Sequence, residues 1–152
     1  MLKKLLYKIL LPTENSVELC YLRIKYKNRK FISLILENML INKYGISVGM
    51  NSIIGKNLKI PHPTSIVIGD GVVIGDNVTL YQNVTLGKKK GNIDSTRDYP
   101  IIGNNVTIFA GAQIIGNVLI GDGAVIGANS VVLEDVEENG VYAGIPAKKL
   151  NK

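Results

Sequence analysis

The chain is poor in the residues that usually reinforce a small fold. It has one cysteine, Cys20, so no disulfide can form within it, and a reducing compartment is expected. Cys20 lies in an apolar, helix-like stretch and reads as a small buried hydrophobe. Tryptophan is absent and phenylalanine occurs twice, which leaves the core to aliphatic side chains. No apolar run reaches the ~18–20 residues of a membrane span. Leu2 to Leu11 is interrupted by Lys8 and lacks a small-residue cleavage site. No secretory leader is therefore expected, and the protein is expected in the cytoplasm. There is one histidine, His62. One imidazole falls short of the three or four protein ligands of a zinc site, and no Cys/Asp cluster adjoins it, so no metal is expected. A G-x-S-x-G elbow, a P-loop and a dinucleotide fingerprint are also missing.

What the chain does have is a period of six. Ile102, Ile108, Ile114, Ile120, Ile126 and Val132 are evenly spaced. Four places beyond each stand Val106, Ala112, Val118, Ala124, Ser130 and Val136, all small or β-branched. Upstream, the phase recurs in Val48, Ile54, Ile60 and in Ile68, Ile74, Leu80, Leu86. Six does not fit a helix, whose period is 3.6; it fits a parallel β-helix in which each aliphatic stacks over its counterpart one coil away. Gly, Asn and Asp at the corners supply turn geometry. The register breaks twice: the Ile60–Ile68 spacing is eight and the Leu86–Ile102 spacing is sixteen. A packed coil has no space inside for extra residues, so both insertions must leave the wall as loops, where function is expected first.

The N-terminal part follows another pattern. Leu2, Leu5, Leu6, Ile9 and Leu10 mark one helix face, stopped by Pro12. A second helix is expected from Thr13, Asn15 or Ser16 to about Asn28, and a third over Phe31–Ile41, ending near Gly45. Residues 1–45 hold nine Lys and Arg against three Glu, which accounts for the whole net charge of +6. Residues 1–45 thus form a helical cap over the first coil. Residues 46–140 form the β-helix, with its loop at about 88–100, and residues 141–152 form a tail. The basic stretch Arg23–Lys30 is either solvated cap surface or a patch that attracts anionic polymer or lipid headgroups. No groove-reading motif or aromatic platform points to nucleic acid.

The first insertion carries Pro61-His62-Pro63-Thr64-Ser65. Flanking prolines fix the local backbone. An imidazole so aimed can take a proton from a hydroxyl at neutral pH; the alternative is a plain surface histidine. The second insertion opens with Lys88-Lys89-Lys90, suited to an anionic substrate or to a solvated loop tip. Lys148 and Lys149, in the tail, suit a nucleotide phosphate.

Together the residues resemble the hexapeptide-repeat acyltransferases, in particular their serine acetyltransferase-like branch. The resemblance covers about residues 45–150. It rests on Ile60-Pro-His62-Pro-Thr-Ser-Ile66-Val67-Ile68-Gly69, Asn83-Val84-Thr85-Leu86-Gly87, Pro100, Ala110-Gly111-Ala112 and Ala143-Gly144-Ile145-Pro146-Ala147-Lys148. It implies a mainly β fold, a left-handed parallel β-helix, a homotrimer with sites between subunits, and acetyl-CoA as donor. By the resemblance, His62 is the catalytic base and the backbone around Gly87 belongs to the thioester environment. Ala110, Gly111, Ala143, Gly144 and Lys148 would line the CoA wall. Lys88, Asp98 and Tyr99 stand where the acceptor is held.

The chain departs from that branch at several positions. Pro61 replaces an aspartate before the histidine, and Ser47 replaces another about fifteen residues upstream. Asp98-Tyr99 stands where Arg-His is the rule. These departures lead us to expect a carbohydrate acceptor, a glycan or sugar-precursor hydroxyl. Serine O-acetylation is the alternative, and a catalytically silent β-helix scaffold is a rival of another class.

Overall fold

The computed structural model describes residues 16–89 and 98–150. The expected first helix at Leu2–Leu10 and the middle of the long loop lie outside the described residues.

The six-residue period becomes three faces. Face A has β1 (Ser47–Val48), β3 (Val67–Ile68), β6 (Thr85–Gly87), β9 (Gln113–Ile115) and β12 (Val131–Val132), hydrogen-bonded in that order. Face B has β2 (Ile53–Ile54), β4 (Val73–Ile74), β7 (Ile101–Ile102) and β10 (Leu119–Ile120). Face C has β5 (Thr79–Leu80), β8 (Thr107–Ile108), β11 (Val125–Ile126), β13 (Val141–Gly144) and β14 (Ala147–Lys149). From β3 to β12 successive strands visit A, B and C in turn, each pairing in parallel with the strand one coil away, while β14 folds back antiparallel on β13. Leu86 lies over Ile68 and under Ile114, while Ile102 joins Ile74 to Ile120. A regular coil is three hexapeptides.

Both insertions leave the wall as expected. Ile74 pairs directly with Ile102, so the stack continues unbroken across the second insertion. Inside, Ile68, Ile74, Leu80, Leu86, Ile102, Ile108 and Ile114 are at most 1% exposed. The fifth-place residues Val72, Val78, Val84, Val106, Ala112 and Ala124 are fully buried beside them. Because the strands are two to four residues long, stability comes from this stacking and from the ladder repeated coil upon coil.

Helix α1 (Ser16–Lys25) and helix α2 (Lys30–Tyr44) close the first coil. Leu19, Cys20, Leu36 and Leu40 pack into the same core. Gly45 ends α2 at φ 64°, donating its N–H to the Ile41 carbonyl while Ile46 N–H reaches Leu40. That is the left-handed cap glycine provides most cheaply. Tyr21 Oη donates to the Gly55 carbonyl and ties α1 to the first coil. The expected basic face needs one correction. Arg23 is 4% exposed and points inward, donating to Ser33 Oγ and pairing with Glu37 at 3.0 Å. Lys25, Lys27, Arg29 and Lys30 remain exposed. Among the described residues, no helix is long and apolar enough to cross a membrane.

Candidate active site at two corners of the prism

The corner between faces C and A carries His62. A column of left-handed residues runs down it: Ser65 (φ 53°), Asn83 (60°), Gly111 (74°) and Asn129 (55°). Each turn bonds to the coil above, through Asn83 N–H to Thr64, Gly111 N–H to Gln82 and Asn129 N–H to Ala110. Thr64, Gln82 and Ala110 are thus equivalent positions. Lys59 bridges Thr79, so Pro61 is equivalent to Tyr81. Between Pro61 and Thr64 the first coil holds two residues that the coils below lack, His62 and Pro63. The exposed histidine is itself part of the insertion, displaced outward from the wall. Thr64 N–H donates to the His62 carbonyl at 2.8 Å and closes the bulge.

Beneath the bulge lies an aromatic pair. The His62 ring centroid is 6.3 Å from that of Tyr81, tilted by 44°. Tyr81 stacks on Phe109 at 5.0 Å and 16°. The two rings occupy consecutive coils because Leu80 is in register with Ile108. Sequence reasoning missed both; the signal was an aromatic at the place after the stacked aliphatic, where glycine otherwise recurs. Gln82 was missed as well. Its Oε1 is buried and has no hydrogen-bond donor among the described residues.

Further down the same corner stand Ala110, Gly111, Ala143 and Gly144. Register aligns Ile126 with Ile108 and with Tyr142, which places Phe109, Gly127 and Ala143 in one file and Ala110 and Gly144 in the next. These small side chains leave the backbone open to a slender ligand. A Cβ at Gly111 would lie 2.1 Å from Asn129 Oδ1, and one at Gly127 would lie 2.8 Å from the Ala143 Cβ. The buried Ser130 hydroxyl accepts the Gly144 N–H at 3.1 Å and pins the terminal hairpin to the corner. That explains the polar residue in the fifth-place series from Val106 to Val136. Lys148, opposite Ala143 in the hairpin, is exposed and lies 3.7 Å from Glu134.

Gly87, Lys88, Asp98 and Tyr99 are elsewhere. β6 is on face A and β7 on face B, so the long loop springs from the A–B corner. Lys88 pairs with Asp98 at 3.2 Å at its base. The Tyr99 ring covers Gly69 and Gly71, where any Cβ would meet the ring within 2.6 Å. Within one chain, therefore, the structure groups His62 with Ala110, Gly111, Ala143 and Gly144. It places Gly87, Lys88, Asp98 and Tyr99 across the full width of face A from them. Among the described residues, no group of three or more His, Cys, Asp and Glu could hold a metal ion.

Comparison with known proteins fits this architecture. Residues 99–134 match the family described as bacterial transferase hexapeptide (six repeats). A serine acetyltransferase of Buchnera aphidicola is 38% identical over 120 residues, 79% of this chain and 43% of that protein. Soybean serine acetyltransferase complexed with serine superposes with a TM-score of 0.81 at 35% identity, covering 89% of this chain and 56% of that one. A serine acetyltransferase complex with CoA gives a TM-score of 0.80 at 34% identity, covering 89% and 55%. The chain spans about half the length of these relatives. These likenesses overturn the carbohydrate acceptor expected from the sequence, because over four-fifths of the chain the similarity is to serine acetyltransferases. Four substituted loop and strand positions were too few to outweigh identity of 38% over 120 residues. By its repeat, its three-faced prism and these neighbours, the chain is a left-handed parallel β-helix built on bacterial transferase hexapeptide repeats.

Proposed function

We propose that the protein transfers the acetyl group of acetyl-CoA to the hydroxyl of L-serine, giving O-acetylserine and CoA. The observation that carries this reading is the likeness to serine acetyltransferases across the coils that form the His62 corner. A ring nitrogen of His62 takes the hydroxyl proton as the serine oxygen bonds to the thioester carbonyl carbon. The C–S bond then breaks, and the proton held by His62 passes to the departing thiolate. Ala110, Gly111, Ala143 and Gly144 form the wall against which the pantetheine arm lies, and Lys148 meets a phosphate.

The separation of the two corners argues for a homotrimer. With face A of each copy turned to a threefold axis, the C–A corner of one copy meets the A–B corner of the next. His62 then faces the neighbour's Gly87 region and loop base. There the Lys88–Asp98 pair offers opposite charges 3.2 Å apart to an acceptor that is itself a zwitterion. Tyr99 closes the same corner.

Release of free thiol from acetyl-CoA tests the reading. Serine-dependent release is expected, falling by ~10²–10⁴ in His62→Ala. No release above the serine-free rate would refute the acceptor; full activity in His62→Ala would refute the base. Light scattering should give three times the chain mass of 16.5 kDa.

A further inference from the structure

We infer that Tyr81, braced by Phe109, is the positioning residue for the His62 imidazole. The inference deepens the proposed reaction and rests on it for the role of His62. A general base works only when its lone pair points at the proton it removes. In this chain the imidazole makes no hydrogen bond and no ion pair among the described residues, and its immediate neighbours in sequence are Pro61 and Pro63. Two prolines fix the backbone of the bulge but leave the side-chain torsions of His62 free. The aromatic partner of the ring is the tilted face of Tyr81, 6.3 Å away between centroids. That separation and tilt fall within the range in which aromatic rings attract through their quadrupoles.

Tyr81 is itself held. Its ring stacks on Phe109 at 5.0 Å, and both residues follow aliphatics of the core, Leu80 and Ile108, that are fully buried. The shelf is therefore anchored to the buried stack on one side and offers a ring to the exposed imidazole on the other. Phe109 is 38% exposed, an unusual cost for a phenylalanine at a place where Gly127 suffices one coil below. Supporting Tyr81 accounts for it.

Three variants test this: Tyr81→Leu, Tyr81→Phe and Phe109→Leu. All lie outside the buried stack, and circular dichroism should show unchanged melting. For acetyl transfer to serine, Tyr81→Leu should lower kcat about tenfold with KM for acetyl-CoA within about twofold. Phe109→Leu should lower it less, and Tyr81→Phe should restore it, because the ring and not the hydroxyl does the positioning. The second readout needs no turnover. His62 is the only histidine, so its ring proton resonances are unambiguous. The Tyr81 ring current should shift them in the wild type and in Tyr81→Phe, and the shift should vanish in Tyr81→Leu. Unchanged His62 resonances in Tyr81→Leu, or a loss confined to KM, overturn the proposal. If no serine is acetylated by the wild type but the resonances respond as stated, the acceptor is wrong and the positioning role stands.

Discussion

Gly111 is the position where one methyl group tests both the fold and the donor wall. Its φ is 74°, and a Cβ there would sit 2.1 Å from Asn129 Oδ1 and 3.2 Å from Asn129 Cγ. Two penalties follow in Gly111→Ala. The left-handed conformation costs an alanine about 1–2 kcal/mol. Displacing the Asn129 side chain adds roughly 1 kcal/mol, the scale of an off-rotamer side chain. A total of about 2–3 kcal/mol lowers the Tm of a chain this size by about 5–10 °C. The double variant Gly111→Ala/Asn129→Gly separates the terms, since it clears the space and leaves the backbone penalty alone. It should recover about a third to a half of the loss, read by differential scanning calorimetry. The wall makes a second demand: the added methyl should raise KM for acetyl-CoA in both variants, because clearing Asn129 does not remove it. An unchanged Tm in Gly111→Ala, or no recovery in the double variant, refutes the stacked-corner reasoning. An unchanged KM refutes the placing of the pantetheine arm.

Other consequences can be checked with purified protein. Leu86→Ala opens a hole in a fully buried stack bounded by Ile68 and Ile114, and should cost about 2–5 kcal/mol in a urea melt. Burial pushes the Cys20 thiol up from 9.0 to about 12. Folding thus favours the neutral thiol: the stability is intact below pH 9 and is lost as pH rises toward 12. Ellman's reagent at pH 8 should leave Cys20 unmodified in the native protein and modify it in urea. Glu37→Gln leaves the buried Arg23 without its anionic partner and should lower stability by about 1–3 kcal/mol in thermal melts. Lys27→Glu with Lys30→Glu reverses two charges of the exposed basic strip. It should abolish any sedimentation with anionic vesicles while leaving acetyl transfer to serine unchanged.

The fold was legible because its physics is periodic. A residue that must stack over its counterpart recurs at a fixed interval, and any insertion declares itself as a break in phase. The breaks at Ile60–Ile68 and Leu86–Ile102 mark where both insertions lie. The C-cap at Gly45 was equally plain. Arg23 was not, because charge counted along a helix does not say which way a side chain faces. Only the contacts with Ser33 and Glu37 reveal that this guanidinium points inward. Ser130 in an aliphatic series was an anomaly that the hairpin hydrogen bond explains.

The candidate site was legible as a set of residues but not as a place. The resemblance implied sites between subunits, but nothing in the order of residues showed which side of a coil carries His62 and which carries Lys88. The coil geometry does. Leaving face C and leaving face A are different corners of a triangle, and the described base of the loop, Lys88 and Asp98, lies at the A–B corner. Two sets of groups that act on one thioester must meet, so either the long loop belongs to a different task or a second copy brings it. Mixing two inactive variants decides the matter. His62→Ala lacks the base but keeps the loop, and Asp98→Lys has the reverse defect. In the proposed trimer, coexpression mixes the two, and some corners pair an intact His62 with an intact neighbouring Asp98. Activity should return to a measurable fraction of wild type. Activity that stays at the level of the separate variants means that each chain works alone, and the loop would then have to be assigned another role.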